Sequence, residues 1–232
     1  MKIPTVIGLI AMAAIGASQL YAEKLGMVAK AAFHLNDFRY KTELKLSSTQ
    51  VDKINSIFAS HNSAQTGFSD ALAKAKPDQY AGIVVKQEKL DQQTANQLLA
   101  VLSSVQKGRL EQLAYQETGP WALRNAALAG KLGLSAQQRA SIESLAKATL
   151  ATIDDLSAKM GEAIEKIPAP KTGDTKASKA YEKKVNAVAS QYNPKIDAAD
   201  EKGKTGVLAV LTAAQLSKWK GLLGKPFKLV DK

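Results

Sequence analysis

Residues 44–57 read LKLSSTQVDKINSI, and residues 132–145 read LGLSAQQRASIESL. At this offset of 88, six of the fourteen positions are identical. Residues 99–113, LAVLSSVQKGRLEQL, pair in the same way with residues 208–222, LAVLTAAQLSKWKGL, with six of fifteen identical at an offset of 109. Each stretch holds one pentad, Leu-Ser/Thr-x-x-Gln: LSSTQ at 46–50, LSSVQ at 102–106, LSAQQ at 134–138 and LTAAQ at 211–215. From the chain's own Leu, Ser/Thr and Gln frequencies about 0.2 such matches are expected by chance, so four mark a duplicated unit. The two offsets differ by 21 residues (109 − 88), which puts an insertion in the second copy between Leu145 and Val207. The Pro/Gly/Lys-rich stretch 167–184 lies there. The copies are therefore 23–118 and 119–232, with a boundary near Gly119. Single-layer helical units rarely bury their apolar faces alone, so the copies are expected to be halves of one fold.

The pentad has a local physical meaning. Ser or Thr followed three residues later by Gln is a capping box. The hydroxyl of Ser47, Ser103, Ser135 or Thr212 can accept from the backbone N–H three residues on. The side chain of Gln50, Gln106, Gln138 or Gln215 can reach back to the cap's own N–H. Two helix-start donors are satisfied, and losing such a cap costs about 1 kcal/mol. Leu46 and Leu211 precede their caps where a hydrophobic staple would pack against Val51 and Leu216. At the other two sites that partner is Lys107 or Arg139, so Leu102 and Leu134 are expected to face the core. LAVLS and LAVLT then mark points where a long helix stops and restarts in a new direction.

Helical stripes fill the space between pentads. Val51, Ile54, Ile57, Phe58, Phe68 and Leu72 recur at helical spacing, as do Ile142, Leu145, Leu150, Ile153, Leu156, Met160, Ile164 and Ile167. No segment alternates with period two, so the fold is expected to be all-α: a thin layered bundle of long amphipathic helices. Pro77 fits the first turn of a helix. Thr118-Gly119-Pro120 reads as a turn, and 167–173 as a loop or linker. Pro194 should end or kink the helix that precedes it.

The N-terminus runs Met1-Lys2, then Ile3 to Leu20 without a charge, and reaches Ala22 just before Glu23. This reads as a secretory signal peptide, residues 1–22, cleaved near Ala22, with an uncleaved membrane anchor as the alternative. The protein is expected to be periplasmic or otherwise exported. Cysteine is absent, so the fold stands on packing alone. The formal charge of +11 becomes +10 without Lys2 (31 basic minus 21 acidic). A basic exported chain can meet membranes, anionic polymers or unfolded acidic chains, and charge alone does not choose among them.

An exported, helical, cysteine-free chain with paired pentads of this form resembles the LTXXQ family, the Spy/CpxP-like periplasmic proteins. The resemblance rests on 44–57, 99–113, 132–145 and 208–222. It implies a cradle-like helical scaffold that suppresses aggregation of unfolded envelope proteins without ATP, through a surface mixing basic and apolar groups. Some relatives damp an envelope-stress sensor kinase, and some sense metals. This chain departs from the family in carrying four pentads rather than two, so one chain could mimic the family's dimer as a pseudo-dimer. Three of its caps are Ser rather than Thr, and the Lys-rich insertion is additional.

Catalytic and metal chemistry find no support in the sequence. His34 and His61 are the two histidines, and neither has metal-ligand spacing. His61 follows Ile57 and Phe58 on the apolar stripe and is expected at the edge of the core. Asp154 and Asp155 point in different directions on a helix, and Asp155 can pair with Lys159. No phosphate-cradling Gly loop or Ser/His/Asp set is present, so the protein is expected not to be an enzyme and to use no cofactor. Lys166, Lys171, Lys176, Lys179, Lys183 and Lys184 form the most basic stretch, around Tyr181. They read either as a solvated, mobile linker running into a helix or as attractors for anionic segments of client chains. The C-terminus adds Lys218, Trp219, Lys220, Lys225, Phe227 and Lys228, with Trp219 expected to be half-buried and no nucleic-acid motif. The expected function is an exported, ATP-independent, chaperone-like protein that binds unfolded or misfolded envelope proteins. The alternatives are a regulatory partner of an envelope-stress sensor and a structural, surface- or membrane-associated basic protein.

Overall fold

The computed structural model describes residues 26–170 and 175–227, and among them every regular element is helical. The signal-like segment 1–22, Lys171 and Lys228 lie outside the described residues. In chain order the α-helices are α1 Met27–Ala32, α2 Phe38–Glu43, α3 Ser48–Lys74, α4 Tyr80–Val101, α5 Ser104–Thr118, α6 Ala126–Leu132, α7 Ala136–Glu165, α8 Thr175–Ala209 and α9 Ala213–Leu223. Short 3₁₀ turns cover Phe33–Asn36, Pro77–Gln79 and Gly119–Arg124.

The described chain divides into two compact units. One comprises 26–118 joined by 220–227, the other 119–219. One division between the units falls at Thr118/Gly119, where Gly119 takes φ 62 in the left-handed region. Residues 220–227 belong to the first unit, although the sequence alone puts them in the second copy, 119–232.

In the first unit the core gathers Ala31, Ala32, Leu35, Tyr40, Leu44, Ile54, Phe58, Leu98, Leu102, Leu110, Leu113 and Ala114. α1 packs on α4 and α5, and α3 pairs with α4 as a hairpin. In the second unit Leu123, Leu128, Leu132, Leu134, Ile142, Ala146, Val207 and Trp219 are buried, and α7 pairs with α8. Leu102 and Leu134 are buried, while Leu46 and Leu211 are partly exposed.

Several buried positions of the two units correspond, whereas Leu46 and Leu134, and Leu102 and Leu211, differ in exposure. At the offset of 88, Leu35 corresponds to Leu123, Ile54 to Ile142 and Phe58 to Ala146, all buried. Asp37 caps α2 by accepting from the Arg39 N–H at 2.8 Å, and its counterpart Asn125 caps α6 by accepting from the Leu128 N–H at 3.0 Å. Lys45 at φ 49 corresponds to Gly133 at φ 68, so the same left-handed residue precedes the first pentad of each copy. At the offset of 109, Leu98 matches Val207 and Leu110 matches Trp219, again all buried. Trp219 is more deeply buried than its helical spacing suggested, because it occupies the place of a core leucine.

Pro194 does not end the helix it stands in. α8 continues unbroken through Pro194. Proline removes the hydrogen bond to the carbonyl four residues back, but Ser190, Asn193, Pro194 and Lys195 are all exposed, so water can serve that carbonyl. The Lys-rich stretch runs into a helix, as expected: α8 begins at Thr175, so Lys176, Lys179, Lys183 and Lys184 stand on it. Gly203 inside α8 has a packing reason. A Cβ there would meet Thr149 Oγ1 at 2.4 Å and the Trp121 ring at 2.6 and 2.8 Å.

Both hairpins thin out away from their bases. Among the described residues none is buried between Asn62 and Leu90, nor between Lys147 and Lys202. There each helix has only its hairpin mate, so the apolar stripe of Ile153, Leu156, Met160 and Ile164 stays partly exposed.

Candidate functional site

All four pentads begin helices. Ser47 Oγ accepts from the Gln50 N–H at 3.2 Å, and Gln50 Oε1 accepts from the Ser47 N–H at 3.0 Å. The reciprocal pair recurs at Ser103 and Gln106 (2.9 and 3.3 Å), Ser135 and Gln138 (3.0 and 3.1 Å), and Thr212 and Gln215 (3.0 and 3.3 Å).

The glutamines do more than close their own caps. Gln50 Nε2 donates to Gln106 Oε1 at 2.7 Å, and Gln106 Nε2 donates back to Gln50 Oε1 at 3.1 Å. The remaining amide hydrogens go to helix-end carbonyls: Gln50 to Val101 at 2.9 Å and Gln106 to Leu44 at 3.2 Å. Gln138 and Gln215 repeat the arrangement, donating to each other at 2.7 and 3.1 Å and to Val210 and Gly133 at 2.9 and 3.1 Å. Each node ties two helix starts to two helix ends and uses every donor and both acceptor sites of both amides. A glutamate could close a capping box, but it could not supply these two donors. The pairing spans 56 residues in one unit and 77 in the other, so a local motif cannot reveal it. The only signal in the sequence is that all four positions hold Gln and none holds Glu.

Above the first node lies a buried polar cluster. His61 Nδ1 lies 3.1 Å from Thr94 Oγ1, Gln65 Nε2 donates to Asp91 Oδ1 at 3.1 Å, and His61 Nε2 lies 3.5 Å from the same carboxylate oxygen. His61 and Asp91 are 9% and 7% exposed, and the Phe33 ring meets His61 edge-on at 5.4 Å. Burial pushes the Asp91 carboxyl up to about 6 and pushes the His61 imidazole down. The second unit solves the same place differently. Trp121, the counterpart of Phe33, donates its indole N–H at 2.7 Å to Asp200, the counterpart of Asp91. Thr149 and Gly203 stand for His61 and Thr94.

His34 is partly exposed. Its Nε2 lies 2.9 Å from Glu117 Oε1, and its ring stacks on Tyr40 at 5.1 Å. The bond to Glu117 raises the imidazole and lowers the carboxyl, while burial pushes the Tyr40 phenol up to about 12. Among the described residues no group of three or more His, Asp or Glu side chains converges to hold a metal ion, and no helix is long and apolar enough to cross a membrane. Asp155 pairs with Lys159 at 2.7 Å on an exposed face.

Lys176, Lys179 and Lys183 fall at i, i+3 and i+7 and share one exposed face of α8, with Lys184 beside them. Tyr181 is partly buried. Exposed apolar side chains occur on the first unit: Phe38 at 70%, Val85 at 60% and Val105 at 84%, with Tyr80 and Val84 next to Val85 at the tip of the α3–α4 hairpin. Lys74, Lys76, Lys86 and Lys89 flank that tip, all exposed. Compared with protein-family models, curated proteins and solved structures, the chain matches none.

Proposed function

We propose that the protein is an exported, ATP-independent, chaperone-like binder of unfolded or misfolded envelope proteins, built as a duplicated relative of the LTXXQ family. In this reading the two copies act together as a pseudo-dimer. The observation that carries it is the contrast within each hairpin. The base is pinned by a fully bonded glutamine node, while the distal half has no buried residue among those described and sets partly exposed apolar side chains among lysines. Lysines draw in anionic segments over long range, and the apolar stripe then shields them. Lys176, Lys179, Lys183 and Lys184, together with Lys171, are the attractors on the second copy.

The test is aggregation of a chemically denatured client, with and without residues 23–232, over a salt series. Protection at equimolar protein and low salt, weakening as salt rises, is the expected result. No protection at low salt removes the reading. A single defined partner in a pull-down, with no protection, would point instead to the periplasmic part of a sensor.

A further inference from the structure

α9 ends at Leu223, and the chain leaves it through Gly224 at φ 64. Residues 225–227 then run along α5, within the first unit. α5 holds their backbone. Gln116 Nε2 donates to the Leu223 carbonyl at 2.6 Å and to the Lys225 carbonyl at 2.9 Å, and Gln116 Oε1 accepts from the Phe227 N–H at 2.8 Å. One side-chain amide therefore reads the C=O of one residue and the N–H of the next but one, as a residue of a parallel strand does. Arg109 Nη2 adds a second donor to the Lys225 carbonyl at 2.7 Å. Glu43 at 2.8 Å and Gln112 at 2.8 Å hold the Arg109 guanidinium in place.

Only one side chain of this segment is gripped. Lys225 and Pro226 are exposed, whereas Phe227 packs on the core cluster and meets the Tyr40 ring edge-on at 5.3 Å. Neither Lys225 nor Pro226 is read by its identity. A cleft of about 510 Å³ lies on α5 against the end of α9, lined by Val105, Gly108, Arg109, Gln112, Tyr115 and Leu222.

We propose that this face of α5 is a binding site for extended peptide segments bearing an aromatic residue, and that residues 225–227 occupy it as a displaceable ligand in cis. The proposal rests on the reading of the protein as a binder of unfolded chains, and it names one place and one chemistry by which such a segment is held. Unfolded chains supply what the site reads, namely unpaired backbone groups and an accessible aromatic ring, both of which folded proteins hide. The chain's own terminus competes at an effective concentration of roughly millimolar, so it screens out weak ligands and yields to better ones.

The test uses a fluorescein-labelled peptide of residues 222–232, LLGKPFKLVDK, and reads its anisotropy with three forms of the protein: the full chain, a chain ending at Leu223, and the full-length Phe227→Ala variant. The chain ending at Leu223 should bind the peptide at least about tenfold more tightly than the full chain. Phe227→Ala should fall between them. Gln116→Ala in the shortened chain should cost about tenfold, and so should replacing the peptide's own phenylalanine by alanine. Circular dichroism checks each form, and if the shortened chain does not fold, Phe227→Ala alone decides. Folded variants that bind no more tightly than the full chain, or binding indifferent to Gln116→Ala, overturn the proposal. Protection of a client by a chain that ignores the peptide would sink this site and leave the chaperone reading standing. Peptide binding without protection would do the reverse.

Discussion

Replacing Gln50 by Glu separates two accounts of the pentad, because they predict opposite signs. If the pentad is a capping box and nothing more, Glu at this position is as good as Gln, and its charge near a helix start adds a few tenths of a kcal/mol. The node predicts loss. Gln50 Nε2 gives its two hydrogens to Val101 O at 2.9 Å and Gln106 Oε1 at 2.7 Å. A carboxylate would set a charged acceptor against both of those acceptors. Two hydrogen bonds at about 1 kcal/mol each disappear, and two half-buried acceptors face a third. Partial exposure of the site lets water soften the repulsion, so Gln50→Glu should cost about 2–3 kcal/mol at pH 7. Protonating the new carboxyl restores one donor, so the cost should shrink as pH falls towards 4. Native-state hydrogen exchange of peptides covering 44–57 and 132–145 is the assay, because a chain in two units need not unfold in one step. Faster exchange should be confined to the first unit. Gln50→Ala and Gln106→Ala should be coupled by about 1 kcal/mol in a double-mutant cycle, whereas Gln50→Ala and Gln215→Ala should simply add. If Gln50→Glu is neutral or stabilising at pH 7, the glutamine pair contributes nothing and the reasoning fails.

Four further outcomes can be checked on purified protein. The Asp91 carboxyl is raised from 3.8 to about 6 by burial, so its favourable contribution is complete below the unfolded value and is lost as pH rises through 6. The full difference is about 3 kcal/mol, reduced to about 1–2 by water near the site; Asp91→Asn should gain that much on wild type between pH 4 and pH 7.5 in urea titrations, and a pH-independent difference would refute it. Gly203→Ala should cost about 1–2 kcal/mol despite the better helix propensity of Ala, since Trp121 is pinned by Asp200, and Thr149→Ala should recover part of the loss. Gly67→Ala, with nothing near its added Cβ, should instead gain about 0.5–1 kcal/mol, and thermal melts read both signs. Lys45→Gly should stabilise by about 0.5–1 kcal/mol by relieving the left-handed backbone at φ 49, and Gly133→Lys should lose a similar amount in chemical denaturation.

The helix starts were legible because a capping box is local: a hydroxyl and an amide three residues apart specify it. The helical periodicity was equally plain. What escaped the sequence was long-range pairing. Nothing in the neighbourhood of Gln50 names Gln106, and nothing near His61 names Asp91, because each pair meets only when the hairpin closes. The repeat itself runs further than its identical letters. Phe33 and Trp121, Asp37 and Asn125, and Lys45 and Gly133 hold equivalent places with different residues, and a role such as capping or left-handed backbone can be filled by more than one side chain. Pro194 does not end its helix. The rule that proline breaks a helix counts the lost hydrogen bond and the steric clash, and an exposed carbonyl that water can serve lowers the first of these costs.

The nodes also predict a gradient of stability along each hairpin. Around Gln50 and Gln106 the helix ends are mutually bonded, and Ile54, Phe58, Ala95 and Leu98 are buried close by. Beyond His61 and Asp91 only the partner helix remains, with no buried residue among those described, so opening there exposes little apolar area and costs little free energy. Amides of 62–74 and 80–90 should exchange well before those of 50–58 and 94–101, with the same order in 150–165 and 175–195 against 138–146 and 203–209. A scaffold graded in this way can open its far ends to an irregular ligand while its joints stay fixed. Uniform protection along α3 and α4 would mean that the distal halves are held by something other than their hairpin mates, and the argument from their thin packing to ligand capture would lose its basis.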